Sequence, residues 1–306
     1  MQKSLLAWYK IYGRHTLPWR NTDDIYKIYL SEVMLQQTQV NRVRDEYYPQ
    51  FLAKFPTLKR LAEAKESEVL GAWSGLGYYS RARNLHATAK ICQNTLPKSY
   101  EALLKLPGIG SYTASAICAF GYHQNIVVLD TNIKRVIKRF FALIDPSEKL
   151  LTQAAQKILN SKEPRAHNLA LMDLGSLVCL PKNPKCDLCP LQKECQGKEE
   201  PHLYTQTKKT AYESMELFYG ICIEDEKIAL VKSKGPMYKG MLELPRVEPI
   251  EEAFLKSFKH AYTKYRLTVN LYHLQACEDA LFFKLNELDT APISSLVKKA
   301  LKSLGF

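Results

Sequence analysis

Four cysteines crowd into one window, CLPKNPKCDLCPLQKEC. Cys179, Cys186, Cys189 and Cys195 give the spacing C-x6-C-x2-C-x5-C. Four thiols in so short a stretch form a ligand set for zinc or for an iron–sulfur cluster, and the spacing alone leaves both open. Far upstream, LSEVMLQQTQV (30–40) places Glu32 directly before Val33, Met34 and Leu35. A helix apolar nearly all round is buried, so this carboxyl is expected to be desolvated and its pKa raised, as a general acid near neutrality requires. The plainer alternative is a glutamate on the wet side of the helix. Gln36 and Gln37 stand where the apolar stripe from Val33 should run on to Val40, and amides there suit a polar partner such as base edges. Asp130 ends an apolar run in NIVVLDTNIKRVIKRF (125–140) and opens a helix. It reads as an N-cap whose charge the helix amides hold low in pKa.

The glycine stretch LPGIGSYTA (106–114) supplies a different capability. Gly108 and Gly110 permit positive φ and close approach, and a helix rich in small residues follows (Ala114, Ala116, Ala119). A helix–hairpin–helix of this kind turns unpaired amides outward, a natural phosphate site; an ordinary tight turn between helices is the alternative. WSGLGYYSRARNL (73–85) sets glycines beside tandem tyrosines, either a loop whose ring enters a base stack or two tyrosines tucked into a core.

Helices must position most of these groups. Tyr26, Leu30, Val33, Val40, Val43 and Tyr47 recur at helical spacing and are expected on one stripe, as are Ala82, Leu85, Ala89 and Cys92. Ile133, Val136, Ile137 and Phe140 mark another buried face, which leaves Lys134, Arg135, Lys138 and Arg139 on a solvated one. Prolines 97, 107, 164 and 181 punctuate the helices. Residues 1–197 therefore read as one helical domain, and 198–211, polar and without period, as a linker. Beyond it Leu217, Tyr219, Ile221 and Ile223 alternate, as do Leu267, Val269 and Leu271, the period of half-buried strands; ISSLVKKALKSL returns to helical spacing. Residues 212–306 are thus a small α+β domain.

The chain has 306 residues, enough for two or three domains, and its 43 Lys+Arg against 31 Asp+Glu give a formal charge of +12. Such a surface suits a polyanion, although many basic proteins bind none. Neither a signal peptide nor a run of eighteen apolar residues is found, so a cytoplasmic protein with no membrane association is expected. Cys92, Cys118, Cys222 and Cys277 are scattered in apolar contexts as plain thiols, which points to a reducing compartment.

Taken in order, the glycine hairpin, the downstream Asp130 and the four-cysteine window resemble the helix–hairpin–helix DNA glycosylase superfamily, endonuclease III and its relatives. Within it SEVMLQQTQV, GLGYYSRARNL, LPGIGSYTA and MDLGSLVC are similar to the adenine DNA glycosylases, nearly continuously over residues 5–197. The resemblance implies a mainly α fold of two helical subdomains, a six-helix part at about 21–130 and an iron–sulfur part formed by the N-terminal helix with 131–197. It also implies a small α+β MutT-like tail. Bifunctional relatives carry a Schiff-base lysine where this chain has Tyr112, so the resemblance implies a monofunctional enzyme that uses water. By position Glu32 looks like the acid that protonates adenine at N7 and Asp130 the carboxylate that stabilises the oxocarbenium-like sugar, with Tyr112 and Asn132 assisting. Leu17 and Trp19 look like the wall of the base pocket. Gln37 and Tyr78, with Leu76 nearby, resemble the residues that enter the gap and flank an opposing 8-oxoguanine, and the four cysteines resemble ligands of a 4Fe–4S cluster.

In the tail GMLELP (240–245) is similar to the family's GLxxFP-like turn. HAYTKYRL (260–267) aligns with its Phe-Ser-His segment, so that Tyr262, Thr263 and Lys264 stand at the lesion-reading positions. No glutamate-rich pyrophosphatase box is present. The implied substrate is duplex DNA bearing adenine opposite 8-oxoguanine or G, bound by a monomer. Thr131, where the adenine enzymes usually carry glycine, and Leu169, where many relatives carry Glu or Gln, depart from the pattern. They keep a thymine or damaged-pyrimidine glycosylase in view, and a non-catalytic iron–sulfur redox sensor is the reading from another class.

Overall fold

A computed structural model describes residues 1–205, 211–235, 237–277, 279–288 and 291–306. The chain divides into two compact units, Met1–Tyr48 with Ile91–Thr207, and Pro49–Lys90 with Lys208–Phe306. Residues 49–90 thus group with the C-terminal segment, although the sequence places them in the helical domain. The expected linker is also shorter than 198–211: Pro201–Tyr204 forms a 3-10 turn, and the Pro201 carbonyl and Thr205 hydroxyl accept bonds from Arg139 within the first unit. Residues 206–210 lie outside the described residues.

The first unit is helical. Its longest helix, Pro164–Leu177, packs against Gln2–Tyr12 and Thr131–Phe140, around a core that includes Leu5, Ile28, Phe120, Val128, Ile137 and Leu171. Pro164 sits in the first turn of that helix, where its missing N–H costs nothing. Ile25–Leu35 starts at Asp24, whose carboxylate accepts from the Tyr26 and Lys27 amides, and is buried over nearly its whole circumference. The predicted continuous stripe from Tyr26 to Tyr47 does not form. Helical bonding stops at Leu35 and Gln37 takes a left-handed φ of 57°, uncommon without glycine, before a new helical segment opens at Val40. Thr131–Phe140 buries Ile133, Val136, Ile137 and Phe140 as expected. Its polar face is not uniformly solvated, however, because Arg135 and Arg139 are buried among carbonyl acceptors.

The second unit carries all but the last two residues of the helix Ser80–Cys92, with Ala82, Leu85 and Ala89 buried, together with the sheet-bearing C-terminal segment. Strands β1 (Glu213–Ile221), β2 (Ile223–Glu224), β3 (Lys227–Lys232), β4 (Leu242–Glu243), β5 (Phe254–Tyr262), β6 (Tyr265–His273) and β7 (Leu281–Lys284) form two sheets. In the first, β6 lies between β1, to which it runs parallel, and β5, its antiparallel partner; in the second, β3 pairs antiparallel with β2, β4 and β7. Leu217 and Val269 stand opposite each other in the parallel pair, both buried, as their alternation requires. Ser295–Leu304 closes the chain as an amphipathic helix.

Candidate active site

A cavity of about 670 Å³ in the first unit gathers residues that lie far apart in sequence, among them Glu32, Tyr112, Asp130 and Asn132. Its size is that of a small-molecule site. Glu32 is 6% exposed, the Tyr112 hydroxyl donates to its Oε2 at 2.6 Å, and its pKa is pushed up to about 7. Burial is the main cause, and the charge of Asp130 adds to it. The Tyr112 bond and the Arg20 guanidinium oppose it. Burial and the Glu32 charge hold the Tyr112 phenol well above its ordinary pKa, so it remains a donor.

Asp130 is the N-cap of Thr131–Phe140, with Oδ1 accepting from the Ile133 amide at 2.6 Å and Oδ2 from Asn132 Nδ2 at 3.0 Å. Its pKa is raised rather than held low. Burial outweighs the helix amides and Asn132, which pull the other way. Both oxygens nevertheless accept, the arrangement that a carboxylate satisfies. Buried Asn168 holds the approach to Asp130: it accepts from the Val128 amide and donates to the Ile126 and Pro164 carbonyls. Asn132 is oriented in turn by Arg135, whose Nη2 donates to Asn132 Oδ1 at 2.9 Å while its Nε donates to the Cys179 carbonyl at 2.8 Å. Gly175 permits this, because a Cβ there would lie 2.6 Å from the Cβ of Asn132.

The remaining wall comes from the loop between the first two long helices. Leu17 and Trp19 are buried and line the cavity. Arg20 also lines it, and its guanidinium donates two hydrogen bonds to the Asp173 carboxylate, Nη1 to Oδ2 at 2.5 Å and Nη2 to Oδ1 at 2.8 Å. Asp173 is fully buried and also takes the Arg14 amide and Nε, at 2.8 Å and 2.7 Å. Arg20, Asp173 and Arg135 were missed by the sequence reading, although a buried-helix carboxylate in MDLGSLVC was itself a signal that a cation must meet it. Gln37, Gly108 and Gly110 reach the same cavity, Gly108 with φ of 72°, and Gln36 Nε2 donates to the Thr113 hydroxyl at 3.4 Å. Leu169 and Thr131 line it too.

The other predicted contacts belong to the second unit. Leu76 is buried there, and Tyr78 has φ of 49° with the Arg81 guanidinium 5.3 Å from its ring centre. Tyr262, Thr263 and Lys264 fall at the β5–β6 hairpin, where Tyr262 pairs with Tyr265 across a two-residue turn and Thr263 has φ of 50°. Lys264 Nζ is held by Glu213 at 2.5 Å, and the Tyr262 ring lies 4.7 Å from that of Tyr238.

Cys179, Cys186, Cys189 and Cys195 line a separate cavity of about 30 Å³ in the first unit. Burial and the neighbouring sulfurs raise the thiol of Cys189 to about 11 and those of Cys186 and Cys195 in the same direction. Arg139 Nη1 donates to Cys179 Sγ at 3.3 Å and to the Leu180 carbonyl at 2.6 Å. Among the described residues no three His, Cys, Asp or Glu side chains form a group that could hold a single ion.

Residues 30–161 match the HhH-GPD superfamily base excision DNA repair protein. An adenine DNA glycosylase of Buchnera aphidicola subsp. Acyrthosiphon pisum is 31% identical over 310 residues, 92% of this chain and 88% of that protein. That of Buchnera aphidicola subsp. Baizongia pistaciae is 43% identical over 203 residues, 64% of this chain, and the Homo sapiens adenine DNA glycosylase 40% identical over 214 residues, again 64% of the chain. The chain spans 57% and 39% of the length of those two relatives. Among solved structures, a thermostable thymine-DNA glycosylase matches with a TM-score of 0.60 at 28% identity, covering 65% of this chain and 94% of that one. A non-covalent endonuclease III–DNA complex matches with a TM-score of 0.56 at 20% identity, over 65% and 94%, and shares the fold. With the helical glycosylase fold and a relative 31% identical over 92% of its length, the chain belongs to the adenine DNA glycosylase family of the helix–hairpin–helix superfamily.

Proposed function

We propose that the protein is a monofunctional adenine DNA glycosylase that hydrolyses the N-glycosidic bond of adenine opposite 8-oxoguanine or G in duplex DNA, in base excision repair. The observation that carries the reading is the buried Glu32, poised with a pKa of about 7, in one cavity with the hydrogen-bonded Asp130. Adenine leaves the stack at a cost of about a few kcal/mol and enters between Leu17, Trp19 and the catalytic carboxyls. Protonated Glu32 gives its proton to ring N7, and as the C1′–N9 bond breaks the bonding pair departs with a base that no longer carries negative charge. Asp130, held by the Ile133 amide and Asn132, faces the positive charge that develops on the sugar. Water adds to C1′ and its proton passes to a carboxylate of the cavity. Tyr112 offers a phenol where a lyase needs an amine, so the product is an abasic site with an intact strand.

Gly108 and Gly110 would bring backbone amides to a phosphate, Gln37 would fill the vacated stack, and Leu76 with Tyr78 would flank the opposing base. Tyr262, Thr263 and Lys264 would meet the lesion, with the Lys264 charge already offset by Glu213. A 4Fe–4S cluster suits the donor chemistry of the four cysteines, which line one cavity. When bound it would shape the 179–195 loop rather than hydrolyse anything. All the catalytic groups lie in one unit, so a monomer suffices. No described helix is long and apolar enough to cross a membrane, in keeping with a nucleoid-associated, cytoplasmic role.

A thymine-specific reading rests on Thr131, Leu169 and the thymine-DNA glycosylase likeness. The test of both is single-turnover incubation with duplexes bearing A:8-oxoguanine, A:G, T:G or A:T, each analysed with and without alkali. Alkali-dependent cleavage at A opposite 8-oxoguanine is expected. Cleavage of T:G, or nicking without alkali, would overturn it.

A further inference from the structure

The wall that carries Trp19 and Arg20 belongs to a loop, Gly13–Asp24, and a loop does not orient a base unless something fixes it. The helix Pro164–Leu177 fixes it at two places. Asp173 takes the Arg14 amide and the Arg20 guanidinium, anchoring the start and middle of the loop. Eight residues earlier, about 12 Å along the helix axis, Arg165 holds the far end. Its Nη2 donates to the carbonyls of Arg20 at 3.1 Å and Thr22 at 2.8 Å, while Nη1 meets Asp23 Oδ1 at 2.5 Å. His123 Nε2 reaches that same carboxylate oxygen at 3.2 Å from the turn after Gly121, so Asp23 is shared. The Arg165 side chain is only 15% exposed and itself lines the cavity.

We infer that Arg165 is a positioning residue for base excision: by gathering the Arg20 and Thr22 carbonyls with the Asp23 carboxylate, it sets the orientation of the Trp19–Arg20 wall. A planar guanidinium with forked donors can serve three oxygens at once, whereas an ammonium is a point charge on a flexible stem. The inference rests on the glycosylase reading for its catalytic consequence, but the hold on Trp19 is a matter of structure alone.

The two are separated by measuring 5-fluorotryptophan-labelled protein by 19F NMR alongside single-turnover excision and duplex affinity, for the wild type, Arg165→Ala, Arg165→Lys and Asp23→Asn. Arg165→Ala is expected to shift the Trp19 resonance, assigned with Trp19→Phe, while those of Trp8 and Trp73 stay in place. It should also slow excision by up to about 100-fold, the scale set by sub-ångström to 1 Å misplacement, with duplex affinity within about threefold. Arg165→Lys should recover part of the rate, and Asp23→Asn should fall between it and the wild type; these milder variants carry the test if Arg165→Ala does not fold. A wild type without excision on any duplex overturns the glycosylase reading, and the Trp19 resonance then decides the clasp by itself. An unmoved Trp19 resonance in every variant, a moved resonance with unchanged excision, or a rate loss matched by loss of duplex affinity overturns the positioning role.

Discussion

Glu32 owes its chemistry to two opposed effects of similar kind. Burial lifts its pKa to about 7, and the Tyr112 hydroxyl, which stabilises the carboxylate, restrains the rise. Excision needs the protonated form, so its rate constant should fall as pH rises through about 7. Tyr112→Phe removes a bond that favours the charged form, so the alkaline limb of the pH–rate profile should move to higher pH; a move to lower pH would contradict the assignment. Glu32→Gln keeps the shape without the proton and should reduce single-turnover excision by at least about 100-fold while leaving duplex affinity nearly intact, as read by titration. Equal loss of binding would show that Glu32 serves the complex rather than the reaction. The raised pKa of Asp130 shows that an N-cap carboxylate in a cavity feels desolvation before it feels the helix amides.

At the scale of elements, the helix Thr131–Phe140 links the candidate active site to the cysteine-lined cavity, both in the first unit. Asp130 caps it at the first, Arg135 spans from Asn132 to the Cys179 carbonyl, and Arg139 donates to Cys179 Sγ near the second. Arg135→Leu should leave the Asn132 amide and the Gly175 and Cys179 carbonyls without their donor, and unpaired buried acceptors cost about 1–3 kcal/mol each. The expected result is a lower Tm together with an excision rate at least about tenfold lower at a temperature where the variant is folded. A variant with an altered Tm and full activity would confine Arg135 to stability. The two surprises in this unit, buried arginines on a face that looked solvated and the helix broken after Leu35, have one cause. Helical spacing identifies the apolar stripe, but whether the opposite face meets water or another element is a tertiary matter.

For the molecule as a whole, His167 tests how the helical unit tolerates a polar group that nothing meets. It is 1% exposed, neither ring nitrogen has a hydrogen-bond partner among the described residues, and burial lowers its pKa to about 4. An unfolded histidine titrates near 6.5, so between those values the unfolded chain binds the extra proton and stability must fall as pH falls, by up to about 1.4 kcal/mol per pH unit. Above about pH 6.5 the slope vanishes. His167→Phe should abolish this acid-side loss and raise Tm at pH 5, read by thermal melts from pH 4 to 7. A melt series with the same slope as the wild type would mean that another group titrates there.

Much of the chemistry was legible in residue types and spacing: the cysteine window, the desolvated Glu32 and the capping Asp130, because each depends on neighbours within a turn or two of chain. The strands at Leu217–Ile221 and Leu267–Leu271 were legible for the same reason, their period being local. The reading of Tyr112 as standing in place of a lyase amine came only from the resemblance to the glycosylase superfamily. What the fold alone decided is who meets whom across long separations. Asp173 meets Arg20 across more than a hundred and fifty residues, Arg135 turns Asn132, and residues 49–90 side with the C-terminal segment. No periodicity encodes such pairings: a buried charge announces that it needs a partner, and only packing selects which one it finds.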